Sequence, residues 1–188
     1  MHTQRFHPCI AKLHPHSFRL NAPKTSPKQE ALRLTNFFKD ELLRNEHFVY
    51  LCSPFAATKE KSIKDHVLEA LKASSEMIGT KYKKRLNLLF IPHLHGFALF
   101  NESADKRLRD YGLTFTTHFI KKVKPIIAVA DGRISEGMKR ELYTAKKFNV
   151  KSIKLSQLKS KLKNLPTKKE SEEVFSLLLN LFPANFIK

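Results

Sequence analysis

Tryptophan is missing from this 188-residue chain, and only two cysteines and five glycines occur. Cys9 and Cys52 stand far apart in unlike contexts, so no disulfide framework is indicated and a reducing, cytoplasmic setting is the simpler expectation. Nowhere does an apolar run approach the ~18 residues that a membrane-crossing helix needs. His, Arg and Pro interrupt the N-terminal stretch where a leader requires a continuous apolar core, so secretion is not expected. His7, Cys9, His14 and His16 match no compact zinc spacing, which argues against a metal site.

Acid is the other scarcity. Seventeen Asp and Glu face 35 Lys and Arg, a formal charge of +18. Such a field can gather phosphorylated small molecules or hold nucleic acid, and it can also arise from lysine-rich solvated faces. The stretch 142–169 carries nine Lys and no acid. No aromatic RNA-binding motif or zinc-finger spacing accompanies it, so nucleic acid is a possible partner but not the favoured one.

What is present is the material of one core. The chain is 41% hydrophobic, which suits a single domain over 28–188 preceded by an irregular basic arm, 1–27, with four Pro and no acid. Residues 28–45 show helical periodicity through Ala31, Leu34, Phe38 and Leu42, a face for the body of the protein or a second subunit. Apolar runs at Phe48–Cys52, Leu88–Ile91 and Ile126–Ala130 read as buried strands, and Val150–Leu155 as an outer fourth. Between and after them, helical patterns are expected from about Ser62, over 103–122, over 135–149 and over 168–182. The last would bury Val174, Leu177, Leu178 and Leu181.

Strands alternating with helices predict an α/β fold: a flavodoxin-like or Rossmann-like parallel sheet of four or five strands with helices on both faces. In such sheets ligands sit at the carboxyl ends of the strands where the chain reverses direction. Here those ends are Ser53–Lys61 and Asp131–Ser135. The second belongs to the most distinctive stretch, Asp131-Gly132-Arg133-Ile134-Ser135-Glu136-Gly137-Met138-Lys139-Arg140-Glu141. Ser135 can cap the following helix, whose N-terminus favours an anionic group. Glu141 falls in the second turn, either facing that site or belonging to a charged helix surface with Lys139, Arg140 and Lys146.

This stretch, with Tyr50-Leu51-Cys52 running into Ser53-Pro54-Phe55 and the Pro92-His93-Leu94 turn, resembles the nucleoside 2-deoxyribosyltransferase-like superfamily. Its small proteins of bacteria, phages and mobile elements, and its 2′-deoxynucleoside 5′-phosphate N-hydrolases, are the similar branches. The resemblance covers roughly residues 46–155 and is most specific in the Ser135, Gly137 and Glu141 spacing. It implies a glutamate nucleophile, Glu141, with Tyr50 as its orienter, and covalent glycosyl transfer without a metal or organic cofactor. It also implies a phosphate-binding Ser135, a homodimer, and a deoxynucleotide or nucleotide ligand. Ser53, Phe55, Thr58, Lys59, His93, Asp131 and Gly137 complete the expected lining.

Two positions depart from the superfamily pattern. The N-hydrolases carry an Arg in the loop after the first strand, where this chain has Ala56. An Asp that precedes the third strand in characterised members has no match; Thr117 and His118 occupy that neighbourhood, and His118 is either a proton donor or a packing residue. Three function classes therefore stand: an N-glycosidase or deoxyribosyltransferase, a non-catalytic nucleotide sensor of the same fold, and a basic nucleic-acid-associated protein.

Overall fold

The computed structural model describes residues 26, 29, 32, 46–55, 58–83, 85–92 and 106–180. In chain order these form β1 (Glu46–Cys52), α1 (Ile63–Ser75), β2 (Lys81–Tyr82), β3 (Arg85–Phe90), α2 (Lys106–Val123), β4 (Ile126–Val129), α3 (Glu136–Lys147), β5 (Ser152–Lys154), α4 (Leu155–Lys159) and α5 (Lys168–Leu179). Most of the basic arm and most of the expected 28–45 helix lie outside the described residues.

Five strands make one sheet in the order β2-β3-β1-β4-β5. β3, β1, β4 and β5 are parallel, and β2 adds an antiparallel edge. This is the expected α/β architecture with a flavodoxin-like strand order. The chain steps from β1 outward to β3, then returns across β1 to β4, so the reversal falls between β1 and β4. Their pairing runs from Val49 opposite Ile126 to Cys52 opposite Val129, and the Ala130 amide extends it by donating to the Cys52 carbonyl at 2.8 Å.

Alternation along β1 assigns its side chains to two separate cores. Val49 and Leu51 join an aliphatic core with Val67, Leu71, Val174 and Leu178 from α1 and α5. Phe48, Tyr50 and Cys52 face the other way, into an aromatic core with Phe90, Phe115, Phe119 and Met138. There the Phe90 and Phe119 rings stack with centroids 4.4 Å apart, and Tyr50 lies against Phe90 at 5.7 Å.

The helix starts are fixed by their own sequences. Ser62 and Asp65 form a reciprocal capping box on α1, as Thr167 and Glu170 do on α5. Ser135 caps α3 by accepting from the Met138 amide. At the other end of α3 the chain turns out through Asn149, which adopts the left-handed conformation that asparagine tolerates.

Several expectations are corrected. The outer strand is shorter than Val150–Leu155, because Leu155 begins α4 directly after β5. The last helix ends at Leu179, and Leu177 is 39% exposed; Val174 and Leu178 of its stripe are buried, and Leu181 lies outside the described residues. Residues 177 and 178 are 100° apart around a helix, so the narrow contact with α1 covers one and leaves the other at the rim. The β2 strand was not foreseen, since two residues are too few to show a period.

Candidate active site

The return of the chain from β4 into α3 brings the acid of the distinctive stretch back over β1. Glu141 accepts a hydrogen bond from the Tyr50 hydroxyl at 2.7 Å, joining residues 91 apart in sequence. Tyr50 is fully buried and Glu141 only 8% exposed, so Glu141 is not part of a charged helix surface. A carboxylate in this position needs compensation for lost hydration. Burial pushes the Glu141 carboxyl above its ordinary range, while hydrogen bonding from Tyr50 and Cys52, the charge of Arg109 and the Thr116 hydroxyl pull it back. Burial, reinforced by the charge of Glu141, raises both the Tyr50 phenol and the Cys52 thiol. Both stay protonated and act as donors toward the carboxylate.

Gly137 stands one turn before Glu141 on the same face of α3. A methyl group there would lie 2.9 Å from Arg109 Nη2 and 3.3 Å from Leu113 Cδ2. The absent side chain therefore lets α2 approach, with Arg109 and Leu113 against Gly137 while Thr116, further along α2, reaches Glu141. The Arg109 guanidinium also lies 5.1 Å over the Phe55 ring, tying the loop after β1 to the start of α3. Ser135 Oγ is 3.9 Å from the same point beside Gly137.

The remaining expected residues gather on the other side of the strand ends. Ser53, Thr58 and Asp131 line a cavity of about 460 Å³ together with His66, Glu69 and Arg133. Thr58 Oγ1 accepts from the Glu60 and Lys61 amides and so shapes its own loop. Asp131 accepts from the Ser156 amide at 3.0 Å and the Ser156 hydroxyl at 2.9 Å, anchoring the β4 loop to α4. Lys59 is exposed and His118 half-buried in α2. His93 lies outside the described residues, as does Ala56. The predicted lining thus divides: Tyr50 bonds Glu141, and Phe55 and Gly137 lie against Arg109, whereas Ser53, Thr58 and Asp131 line the cavity.

Arg109, Cys52 and Thr116 were missed as site residues. The charged run Lys106-Arg107-Leu108-Arg109-Asp110 gives no sign of which arginine turns inward. Gly137 was the available signal, because a glycine in the first turn of a helix, where alanine would be more stable, marks close approach by a neighbour.

Among the described residues no group of three His, Cys, Asp or Glu side chains could hold a metal ion. Fold and site together define an α/β protein with a buried tyrosine–glutamate pair beside the switch point of its sheet. Within that class the chain belongs to the family described as "Domain of unknown function (DUF7768)", whose model matches residues 47–154. No curated protein and no solved structure matches it.

Proposed function

We propose that the protein is a nucleotide-binding N-glycosidase or deoxyribosyltransferase that cleaves the base–sugar bond of a deoxynucleoside 5′-phosphate. The supporting observation is the buried Tyr50–Glu141 hydrogen bond at the carboxyl end of β1. Tyr50 holds one carboxylate oxygen of Glu141, orienting the other toward the anomeric carbon. Attack forms a bond from Glu141 oxygen to that carbon as the carbon–nitrogen bond breaks, its electron pair leaving with the base, which takes up a proton. Water, or a second base, then attacks the same carbon and loses its proton, and Glu141 departs as carboxylate. Ser135, at the N-terminus of α3 in a chain of charge +18, supports a phosphorylated substrate over a free nucleoside.

A second reading is a nucleotide-binding sensor without chemistry, favoured by the burial that pushes Glu141 toward its neutral, non-nucleophilic form. The nucleic-acid reading has less support: of the nine lysines in 142–169, Lys159 and Lys168 pair with Glu76 and Glu172, Lys151 donates to the Tyr82 hydroxyl, and all but Lys159 are exposed.

Incubation with a panel of deoxynucleosides and their 5′-phosphates separates these readings. Release of free base is expected from a 5′-phosphate and is expected to fall by about 10³-fold or more in Glu141→Gln. Base release that survives the substitution removes Glu141 as nucleophile. Nucleotide binding with no release from any substrate establishes the sensor instead.

A further inference from the structure

Gly137 raises a question that its place in a helix does not answer: what does the missing side chain make room for? The occupant is Arg109. Its Nη2 sits where a methyl group on residue 137 would come within 2.9 Å, closer than such carbons approach real neighbours. Its guanidinium rests over Phe55 at 5.1 Å. Gly137 and Glu141 are four residues apart and therefore share a face of α3. Arg109 and Thr116, seven apart, likewise share the face of α2 that meets it. The cation and the buried carboxylate thus belong to one helix–helix contact.

We propose that Arg109 is the positioning residue for Glu141: seated on the Phe55 ring and admitted by Gly137, it places a fixed positive charge beside the carboxylate and locks the loop after β1 to α3. Its bearing on catalysis rests on Glu141 being the nucleophile. The placement also gives the Ser135–Gly137–Glu141 spacing a physical meaning. Serine caps the helix, glycine opens its flank to the arginine, and the acid one turn later receives the charge.

The chemistry requires such a group. The described titratable and charged groups facing Glu141 are Tyr50 and Cys52 from β1 and Arg109 from α2, with the neutral hydroxyl of Thr116 beside them. Tyr50 and Cys52 are themselves raised by burial and supply no charge. Arg109 is the cation of the set, and it opposes the burial that drives Glu141 toward its protonated form.

The test is a carbon-detected NMR titration of the glutamate carboxyl groups in the full chain, with the Glu141 signal assigned by its loss in Glu141→Gln. Arg109→Gln is expected to raise the Glu141 pKa by about one unit. Gly137→Ala is expected to shift it in the same direction, because the new methyl displaces Arg109. The double variant is expected to move it no further than Arg109→Gln alone, since the two changes remove one interaction. Arg109→Lys, which keeps the charge and loses the planar stack, is expected to shift it less than Arg109→Gln. An unchanged Glu141 titration in Arg109→Gln, or in Gly137→Ala if Arg109→Gln does not fold, overturns the proposal, as does an additive double variant. No substrate is required, so the outcome is independent of whether base is released. Where release is observed, the acid limb of its pH profile moves upward with the Glu141 pKa in Arg109→Gln, a change that a purely structural loss does not produce.

Discussion

The two faces of the sheet are built on the same strands but bury different side chains. Toward α1 and α5, β1 sends Val49 and Leu51 into an aliphatic core. Toward α2 and α3 it sends Phe48, Tyr50 and Cys52 into an aromatic core whose rim holds a buried carboxyl group. Each face also contains a buried polar side chain, in opposite states. Glu141 is bonded to Tyr50, whereas both ring nitrogens of His66 are buried without a hydrogen-bond partner among the described residues. Glu69 Oε2 stands 3.9 Å from Nδ1, too far for a hydrogen bond. Both faces bury an apolar core, and the one toward α2 and α3 also holds a carboxyl group whose burial costs stability.

That contrast can be broken in three ways. The largest effect is expected from Leu71→Ala on the α1 face, where the leucine is fully buried. Loss of its methyl groups and the cavity left behind should cost about 2–5 kcal/mol in urea unfolding. A loss below about 1 kcal/mol would mean that this face relaxes freely.

The next effect depends on pH. Glu141 binds its proton more tightly folded than unfolded, because burial raises its pKa. Its contribution is therefore fully present below the unfolded pKa and is lost as pH rises through the folded one. Glu141→Gln, neutral at every pH and still able to accept from Tyr50, should raise the melting temperature more at pH 8 than at pH 4. Equal shifts at both values would show that the carboxyl group is not penalised by burial, and would remove this difference between the faces.

The smallest effect is expected at His66. Replacing an unpartnered buried imidazole by leucine removes no hydrogen bond, so His66→Leu should be neutral or stabilising by up to about 1 kcal/mol. A clear loss in thermal unfolding would mean that the imidazole has a bridging partner, and that the two faces handle buried polarity alike.

Much of this division was legible in the residues. The carboxyl end of β1 and the start of β4 follow from short apolar runs, one closed by Ser53-Pro54 and the other opening after Pro125. The meeting of Tyr50 with Glu141 was expected only through the superfamily resemblance; local pattern left Glu141 readable as part of a charged helix surface. What was not legible depends on which member of a similar set turns inward. Nothing local marks Arg109 as inward or separates Leu178 from Leu177, because each placement is made by the partner helix. The split of the expected lining also escaped, since the β1 and β4 loops supply side chains to both sides of the sheet and sequence does not say which. Asp131 reads equally well as a ligand contact or a turn residue, and its bonds to Ser156 show what it does in the folded chain.

Those bonds also bear on the chemical lifetime of the protein. An aspartate followed by glycine is the sequence most prone to cyclise through attack of the glycine amide nitrogen on the side-chain carboxyl, because glycine offers no side chain to obstruct the ring. Asp131-Gly132 is such a pair, with Gly132 held at φ +100° and open space around it. The Ser156 amide and hydroxyl grip both carboxylate oxygens of Asp131 and keep that carbon from turning toward the nitrogen. The contact from α4 is therefore expected to slow isoaspartate formation at Asp131 in the folded chain relative to the unfolded one.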